Sequence, residues 1–468
     1  MADYEVQTAF LGEWGRFQQQ VFFLLCVTVI PNGFTILAIV FLADTPYRLK
    51  DEGCLDGWEY DQSVYISTIT SEWDLVCDDR WKNPLTSSVF FSGVLTGSFI
   101  SGQLADRYGR KVMMFVTITV QTVFTLIQAF SPSWTVFCAM FFVVGYGKIS
   151  NYISAFVLGT EILGPRVRTI FSTAGMNLFF ALGYMLLPIL AFFIRDWRML
   201  LLGLALPGFL YLPLWWYIPE SPRWLLSQGR VQEAEAIVRY AAKRNKIEPP
   251  PVIFSFSQVR SYAMPFTVKC NKYLSHLCIH NDYPHRNTVT ISYFALSLNT
   301  ANLHGNVHFN TLLSALIEIP AYILSWVLFR WCPRRLSLFL TLFMGGSFLL
   351  LIQCIPANMI YIAITLEMTG KFAVTTSFAV IYAYTAELYP TVLRNTALGT
   401  CSMAARIGSI IAPYFIYLRS YSISLPYILM GSLTALVGLL SLLLPESYGM
   451  PLPDTITHMQ HFPGRAPE

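Results

Sequence analysis

The sequence predicts an all-α membrane protein made of two repeated six-helix halves, and three observations carry that prediction. The first is composition: 54% of the 468 residues are hydrophobic and 12% are charged, against about 25% charged in a soluble domain. The second is a series of apolar runs long enough to cross a hydrocarbon core of about 30 Å. The third is internal repetition. Glu161 and Arg168 stand seven apart, as do Glu387 and Arg394; Pro219-Glu220-Ser221 follows the first pair and Pro445-Glu446-Ser447 the second, and every corresponding position is offset by 226 residues. A duplicated helical bundle with its polar site between the halves is an architecture of secondary transporters.

In the first half the apolar runs lie near 17–43, 84–104, 112–130, 134–158, 171–194 and 198–218. In the second they lie near 309–329, 337–355, 359–384, 396–418 and 425–444. The missing member falls at 286–298, which is short and follows His276, His280, Asp282, Pro284 and His285, so of twelve nominal spans the seventh is expected to be weak. The predicted units are a first half at 1–218 with a loop at 44–83, a linker at 219–286, and a second half with a short tail at 287–468. The first twenty residues hold Asp3, Glu5, Glu13 and Arg16 and do not read as a cleavable signal.

Basic residues assign the sides. Arg107, Arg110 and Lys111 follow the second span, Arg334 and Arg335 follow the eighth, and the linker carries ten Lys and Arg from Arg223 to Arg286. These belong inside, together with both termini. The loop at 44–83 holds ten Asp and Glu against Arg48, Lys50, Arg80 and Lys82, which suits the outside. Within the linker, 231–243 reads as a solvated amphipathic helix with Glu235 and Arg239 in the favourable i,i+4 order. Pro249-Pro250-Pro251 stops it.

Cys26, Cys138, Cys354 and Cys401 sit in apolar runs and read as buried, inert thiols, whereas Cys54 and Cys77 share the outer loop, where a disulfide suits an oxidising compartment. No Cys/His spacing suggests a metal or other cofactor, and no basic cluster with interleaved aromatics suggests nucleic acid. Gly159 to Gly164 opens like a phosphate-cradling loop, but Pro165 and Arg166 stand where a lysine and hydroxyl are needed. No nucleotide site is expected.

Gly102-Gln103-Leu104-Ala105-Asp106-Arg107-Tyr108-Gly109-Arg110-Lys111 resembles the G-x-L-x-D-R-x-G-R-K motif of the major facilitator superfamily. Pro219-Glu220-Ser221-Pro222-Arg223-Trp224, Ala386-Glu387-Leu388-Tyr389-Pro390-Thr391 and Leu55-Asp56-Gly57-Trp58 resemble its organic ion transporters. Pro31-Asn32-Gly33-Phe34, Ile149-Ser150-Asn151-Tyr152 and Leu425-Pro426-Tyr427-Ile428-Leu429-Met430-Gly431-Ser432 are similar to the carnitine/organic cation subgroup. The resemblance implies a non-enzymatic, monomeric carrier in the plasma membrane or an intracellular membrane. Its cargo would be a small cation or zwitterion such as carnitine, moved by alternating access with Na⁺ as the coupling ion.

In that reading Asp106, Arg107, Arg110, Glu161, Arg168 and Glu220 form a charge cluster under the first half. Arg335, Glu387, Arg394 and Glu446 form one under the second. Each cluster is either a latch of the cytoplasmic gate or a static anchor. Charges buried in spans are costly and usually functional. Arg406, among small neighbours, either holds a substrate carboxylate bidentately or pairs with an acid. Glu318 is read as part of a cation path or as an interhelix hydrogen bond. Glu367 and Lys371, four apart, are expected to neutralise each other. Tyr382, Tyr384, Tyr152, Tyr184, Phe22 and Phe23 are candidates for an aromatic cage around an ammonium. Asn32, beside the helix-breaking Pro31, and Tyr384 are candidates for a Na⁺ site.

The sequence departs from the family in three places. The outer loop is short, the segment 262–287 does not match, and Lys148 stands where a neutral amide is expected. An ammonium there would repel a cationic headgroup. Two alternatives follow: an organic anion carrier using Lys148, Lys371 and Arg406, or a transport-inactive form acting by association with a relative.

Overall fold

A computed structural model describes residues 4, 7–44, 60–254, 283–303, 305–356, 359–388 and 394–446. Their long helices run in the predicted order. The first half comprises α1 (Arg16–Leu42), α2 (Lys82–Tyr108), α3 (Arg110–Ala129), α4 (Trp134–Ile162), α5 (Met176–Phe193) and α6 (Trp197–Tyr211). The second comprises α7 (Tyr283–Leu298), α8 (Val307–Trp331), α9 (Arg334–Leu351), α10 (Ile360–Leu388), α11 (Arg394–Tyr417) and α12 (Leu425–Ser441). Nine helices among the described residues are long and apolar enough to cross a membrane. The expected all-α fold is therefore observed. The predicted linker helix is present as Val231–Asn245, with Arg239 bonded to Glu235 at 2.6 Å.

The seventh helix is short, and it is not among those nine. Its sixteen residues extend into a 3₁₀ turn, Asn299–Asn302. At about 1.5 and 2.0 Å per residue the two pieces reach about 32 Å. Its polarity has a physical reason: Thr288, Thr290, Ser292, Ser297, Asn299 and Thr300 are all buried against protein. The Ser292 and Thr434 hydroxyls bond at 2.7 Å between α7 and α12. A helix shielded from lipid does not need an apolar surface. Because α7 begins at Tyr283, Arg286 is a helix residue with 1% exposure, not part of the basic linker.

Small residues set how closely the helices cross. A Cβ on Gly93 would lie 2.0 Å from the Phe142 carbonyl oxygen, and one on Gly145 would lie 2.4 Å from that of Phe90. Backbones of α2 and α4 thus touch, which fixes Phe90 beside Lys148 on α4. Replacing Gly93 with leucine is expected to force these helices apart and destabilise the protein by about 1–3 kcal/mol, the usual range for overpacking. A thermal-unfolding midpoint equal to wild type would refute this. The two halves meet through α2 and α11, where the Ser88 hydroxyl donates to the Ile410 carbonyl at 2.8 Å. They also meet through α5 and α8, where Tyr184 and Ser314 hydroxyls lie 2.9 Å apart.

Three cysteine expectations resolve differently. Cys26 and Cys138 are buried free thiols, as read, whereas Cys354 is exposed in a 3₁₀ turn past α9, where the helix has already ended. Cys77 is in a disulfide. Cys54 and the gate segment 389–393 lie outside the described residues, as do the side chains of Cys401, Glu387 and Arg394.

Candidate functional site: buried charges between the halves

Polar groups gather in three layers, two of them largely buried and the third at the basic end of the bundle. Near the outer-loop end, Glu367 on α10 accepts from Tyr427 at 2.8 Å and from Asn299 at 2.9 Å. The expected pairing of Glu367 with Lys371 is not what forms. Lys371 pairs instead with Glu318 on α8 at 3.4 Å, and both side chains are buried. An i,i+4 pair would leave both charges on one face of α10, whereas turning Lys371 to α8 gives it the Ser314 hydroxyl and the Tyr184 hydroxyl at 3.3 Å as well. Glu318 also accepts from Tyr293 at 2.7 Å and from Tyr322 at 3.5 Å. The carboxylate is thus occupied by protein, which favours the interhelix reading of Glu318. Tyr184 belongs to this network too.

The middle layer holds cations that no described carboxylate neutralises. Lys148 is buried, with its ammonium 5.9 Å from the Phe90 ring centroid and 5.7 Å from that of Phe180. Its charged neighbour is Arg406 on α11. The Nε of Arg406 is buried without a hydrogen-bond partner. Tyr152 has Tyr382 and Arg406 as electrostatic neighbours. Tyr382 in turn lies under Arg286, whose guanidinium carbon is 4.3 Å from the ring centroid. Of the predicted site residues, the fold therefore gathers Lys148, Tyr152, Tyr382 and Arg406. Arg286 was missed, because a basic residue beside a basic linker counts toward sidedness.

Other cage candidates are placed elsewhere. Phe22 packs edge-on against Trp14 and Phe171, and Phe23 is half exposed. Tyr384 donates to the Pro445 carbonyl at 2.7 Å, tying α10 to the segment after α12.

Asn32 is fully buried and neither amide atom has a partner. One turn earlier, the Thr28 carbonyl accepts from Asn151 on α4 at 3.3 Å, leaving the Asn151 Oδ1 unpartnered. Asn151 and Thr28, but not Asn32, line a small cavity of mixed character, shared with Thr35, Gln121, Leu204 and Tyr211. Unpartnered buried amides are rare in folded proteins.

At the basic end, Arg110 bonds Asp106 at 2.8 Å, Glu161 at 3.2 Å and the Ala105 carbonyl at 3.0 Å. Arg168 donates to the Leu163 carbonyl at 3.2 Å. Arg107 does not join this cluster: it is exposed, over the ring of Tyr108, because the helix turns it outward. Glu220 acts as a cap. It accepts from the backbone N–H groups of Arg110 and Lys111 at 3.1 Å and of Ser221 at 2.9 Å, at the positive end of α3. Gly109, at φ +105°, permits this approach, since a Cβ there would lie 2.6 Å from a Glu220 oxygen. Glu446 repeats the arrangement at α9, accepting from the N–H groups of Arg334 at 2.9 Å and Arg335 at 3.1 Å.

The family described as Sugar (and other) transporter matches residues 63–252. The human organic cation/carnitine transporter 2 is 49% identical over an aligned length of 535 residues, covering 99% of this chain and 95% of that protein. Solute carrier family 22 member 4 of Mus musculus is 48% identical, covering 99% of this chain and 96% of its own. The inward-open xylose transporter XylE from E. coli superposes with a TM-score of 0.69 over 93% of this chain and 98% of that one, at 14% identity. At that identity the likeness shows the fold alone.

Proposed function

Since the chain belongs to the organic cation/carnitine transporters of the major facilitator superfamily, we propose that it carries small organic cations and zwitterions of the carnitine class, carboxylate-bearing zwitterions ahead of bare cations. The observation that carries this reading is the pairing of buried Lys148 with half-buried Arg406, beside Tyr152 and Tyr382, with no described acid bonded to either. A guanidinium matches a carboxylate bidentately, and the rings suit an ammonium. Two basic side chains with no described acid beside them favour a cargo that brings a carboxylate over one that brings only a cation. The halves 1–218 and 287–468 rock about these residues, with the Arg110–Glu161 cluster on the cytoplasmic side. The carrier works as a monomer in the plasma membrane, with both termini inside. Na⁺ coupling is supported by the unpartnered oxygens of Asn32 and Asn151, neutral donors of the kind a small hard cation takes.

Uptake of radiolabelled carnitine and tetraethylammonium, with and without Na⁺, tests this reading. Carnitine uptake should exceed that of tetraethylammonium and rise with Na⁺, and Asn32→Ala should remove the Na⁺ dependence. Lys148→Gln should raise tetraethylammonium uptake several-fold. Surface-labelled protein that moves neither solute would point to the transport-inactive alternative.

A further inference from the structure

Arg16, Gln19, Gln20 and Phe23 of α1 and Arg244 of the linker helix line a cleft of about 360 Å³. The four α1 residues stand at i, i+3, i+4 and i+7, so they form one stripe down the start of the span. Both arginines are exposed, and neither is bonded to an acid among the described residues. The acids near them in sequence are engaged elsewhere: Glu13 with Arg166 at 3.7 Å, Glu233 with Arg230 at 2.6 Å and Glu235 with Arg239 at 2.6 Å.

Asn245, next in sequence to Arg244, fixes the two walls to each other. Its Oδ1 accepts from the Phe17 N–H at 2.9 Å, and its Nδ2 donates to the Leu11 carbonyl at 3.1 Å and to the Gln18 side-chain oxygen at 2.9 Å. It thus caps α1 from another helix, taking up one of the N–H groups that a helix start leaves without a partner. Gly15 makes room for it, since a Cβ there would lie 2.3 Å from its Nδ2. The Phe17 and Tyr240 rings meet edge-on at 6.2 Å across the same junction. Arg16 precedes Phe17 and Arg244 precedes Asn245, so this clamp brings two guanidiniums from distant parts of the chain to one cleft.

Two guanidiniums without a counter-charge suit an anion, and the setting of the cleft says which. Phe23 is 51% exposed and belongs to the first membrane span. The cleft therefore has a charged wall at the end that basic residues assign to the cytoplasm and an apolar wall that meets hydrocarbon. A soluble anion uses only the first wall. An anionic phospholipid uses both, because guanidinium binds phosphate bidentately and the cytoplasmic leaflet is rich in anionic headgroups. A phosphate monoester carries a charge of about −1.5 to −2 on three terminal oxygens, which matches two arginines better than a zwitterionic headgroup does.

We propose that the cleft between α1 and the linker helix binds an anionic phospholipid, with the headgroup phosphate between Arg16 and Arg244 and an acyl chain along Phe23. The site lies apart from the charges between the halves, and it does not depend on what the carrier moves.

The test is equilibrium binding to the purified full-length protein in a neutral detergent, with dioctanoyl phosphatidic acid, dioctanoyl phosphatidylcholine and glycerol 3-phosphate as probes. The second keeps the chains and loses the net charge; the third keeps the charge and loses the chains. Wild type should bind phosphatidic acid at least tenfold more tightly than either. Arg16→Gln combined with Arg244→Gln should weaken phosphatidic acid binding at least tenfold and leave phosphatidylcholine binding unchanged. Lysine at both positions, which keeps the charge and loses the fork, should fall between. Arg230→Gln removes an arginine at the other end of the linker helix and should change nothing. Glycerol 3-phosphate binding as tightly as phosphatidic acid would make this a site for soluble phosphates and overturn the lipid assignment. Phosphatidylcholine binding as tightly as phosphatidic acid would overturn it too. So would phosphatidic acid binding that survives the double glutamine variant, or that Arg230→Gln weakens as much.

Discussion

Replacing Glu318 with alanine is expected to destabilise the protein by about 3–5 kcal/mol, the cost of leaving one member of a buried ion pair alone. The ion pair spans α8 and α10, and Lys371 has 1% side-chain exposure. In the variant its ammonium keeps two hydroxyl acceptors, Tyr184 and Ser314, but no counter-charge. The Tyr293 and Tyr322 hydroxyls lose their acceptor at the same time. Removing the pair together should cost much less, because the desolvation penalty of both charges disappears with their attraction. Glu318→Leu combined with Lys371→Met should therefore recover most of the loss. Glutamine at 318 should fall between them, since its amide oxygen still serves Tyr293. Thermal unfolding in one detergent, read across the single and double variants, checks the order. A single alanine variant within about 1 kcal/mol of wild type, or a double variant as weak as the single, would contradict it.

This pair also shows where sequence reading stops. Repetition at 226 residues, the apolar runs and the Gly102–Lys111 motif made the two-half fold legible, because each is a local signal or a copy of one. Lys371 had an acid one turn away in Glu367, and i,i+4 spacing is visible in a sequence. Its actual partner comes from another helix, and only packing decides that. Hydropathy understated α7 for a related reason: it measures fitness for lipid, and α7 is surrounded by protein. Arg286 went to the linker for a different reason, since a basic residue beside a basic segment counts toward sidedness. Lys148 and Arg406 were legible because an isolated charge in an apolar run is conspicuous. The candidate site was thus half visible, through its charges but not through their pairing.

Glu220 and Glu446 give the second large effect, and their chemistry separates a cap from a latch. Each receives backbone N–H groups at the start of a helix, α3 for Glu220 and α9 for Glu446. Hydrogen bonds to a charged group contribute about 1.5–3 kcal/mol each, and water at the helix end replaces part of that. Alanine at either position should cost about 2–4 kcal/mol in total. Glutamine keeps an acceptor oxygen at the same reach and loses only the charge, which for a helix terminus is worth about 0.3–1 kcal/mol. A cap therefore predicts a large alanine effect and a small glutamine effect at both positions. A latch held by ion pairs predicts equal damage from the two, since both abolish the charge. Arg110→Ala supplies the contrast, because its guanidinium ties α2, α3 and α4 through Asp106 and Glu161. That change should raise cysteine-labelling rates at the basic end of the bundle while leaving the helix caps intact. Glutamine variants as unstable as alanine variants would return both glutamates to the latch.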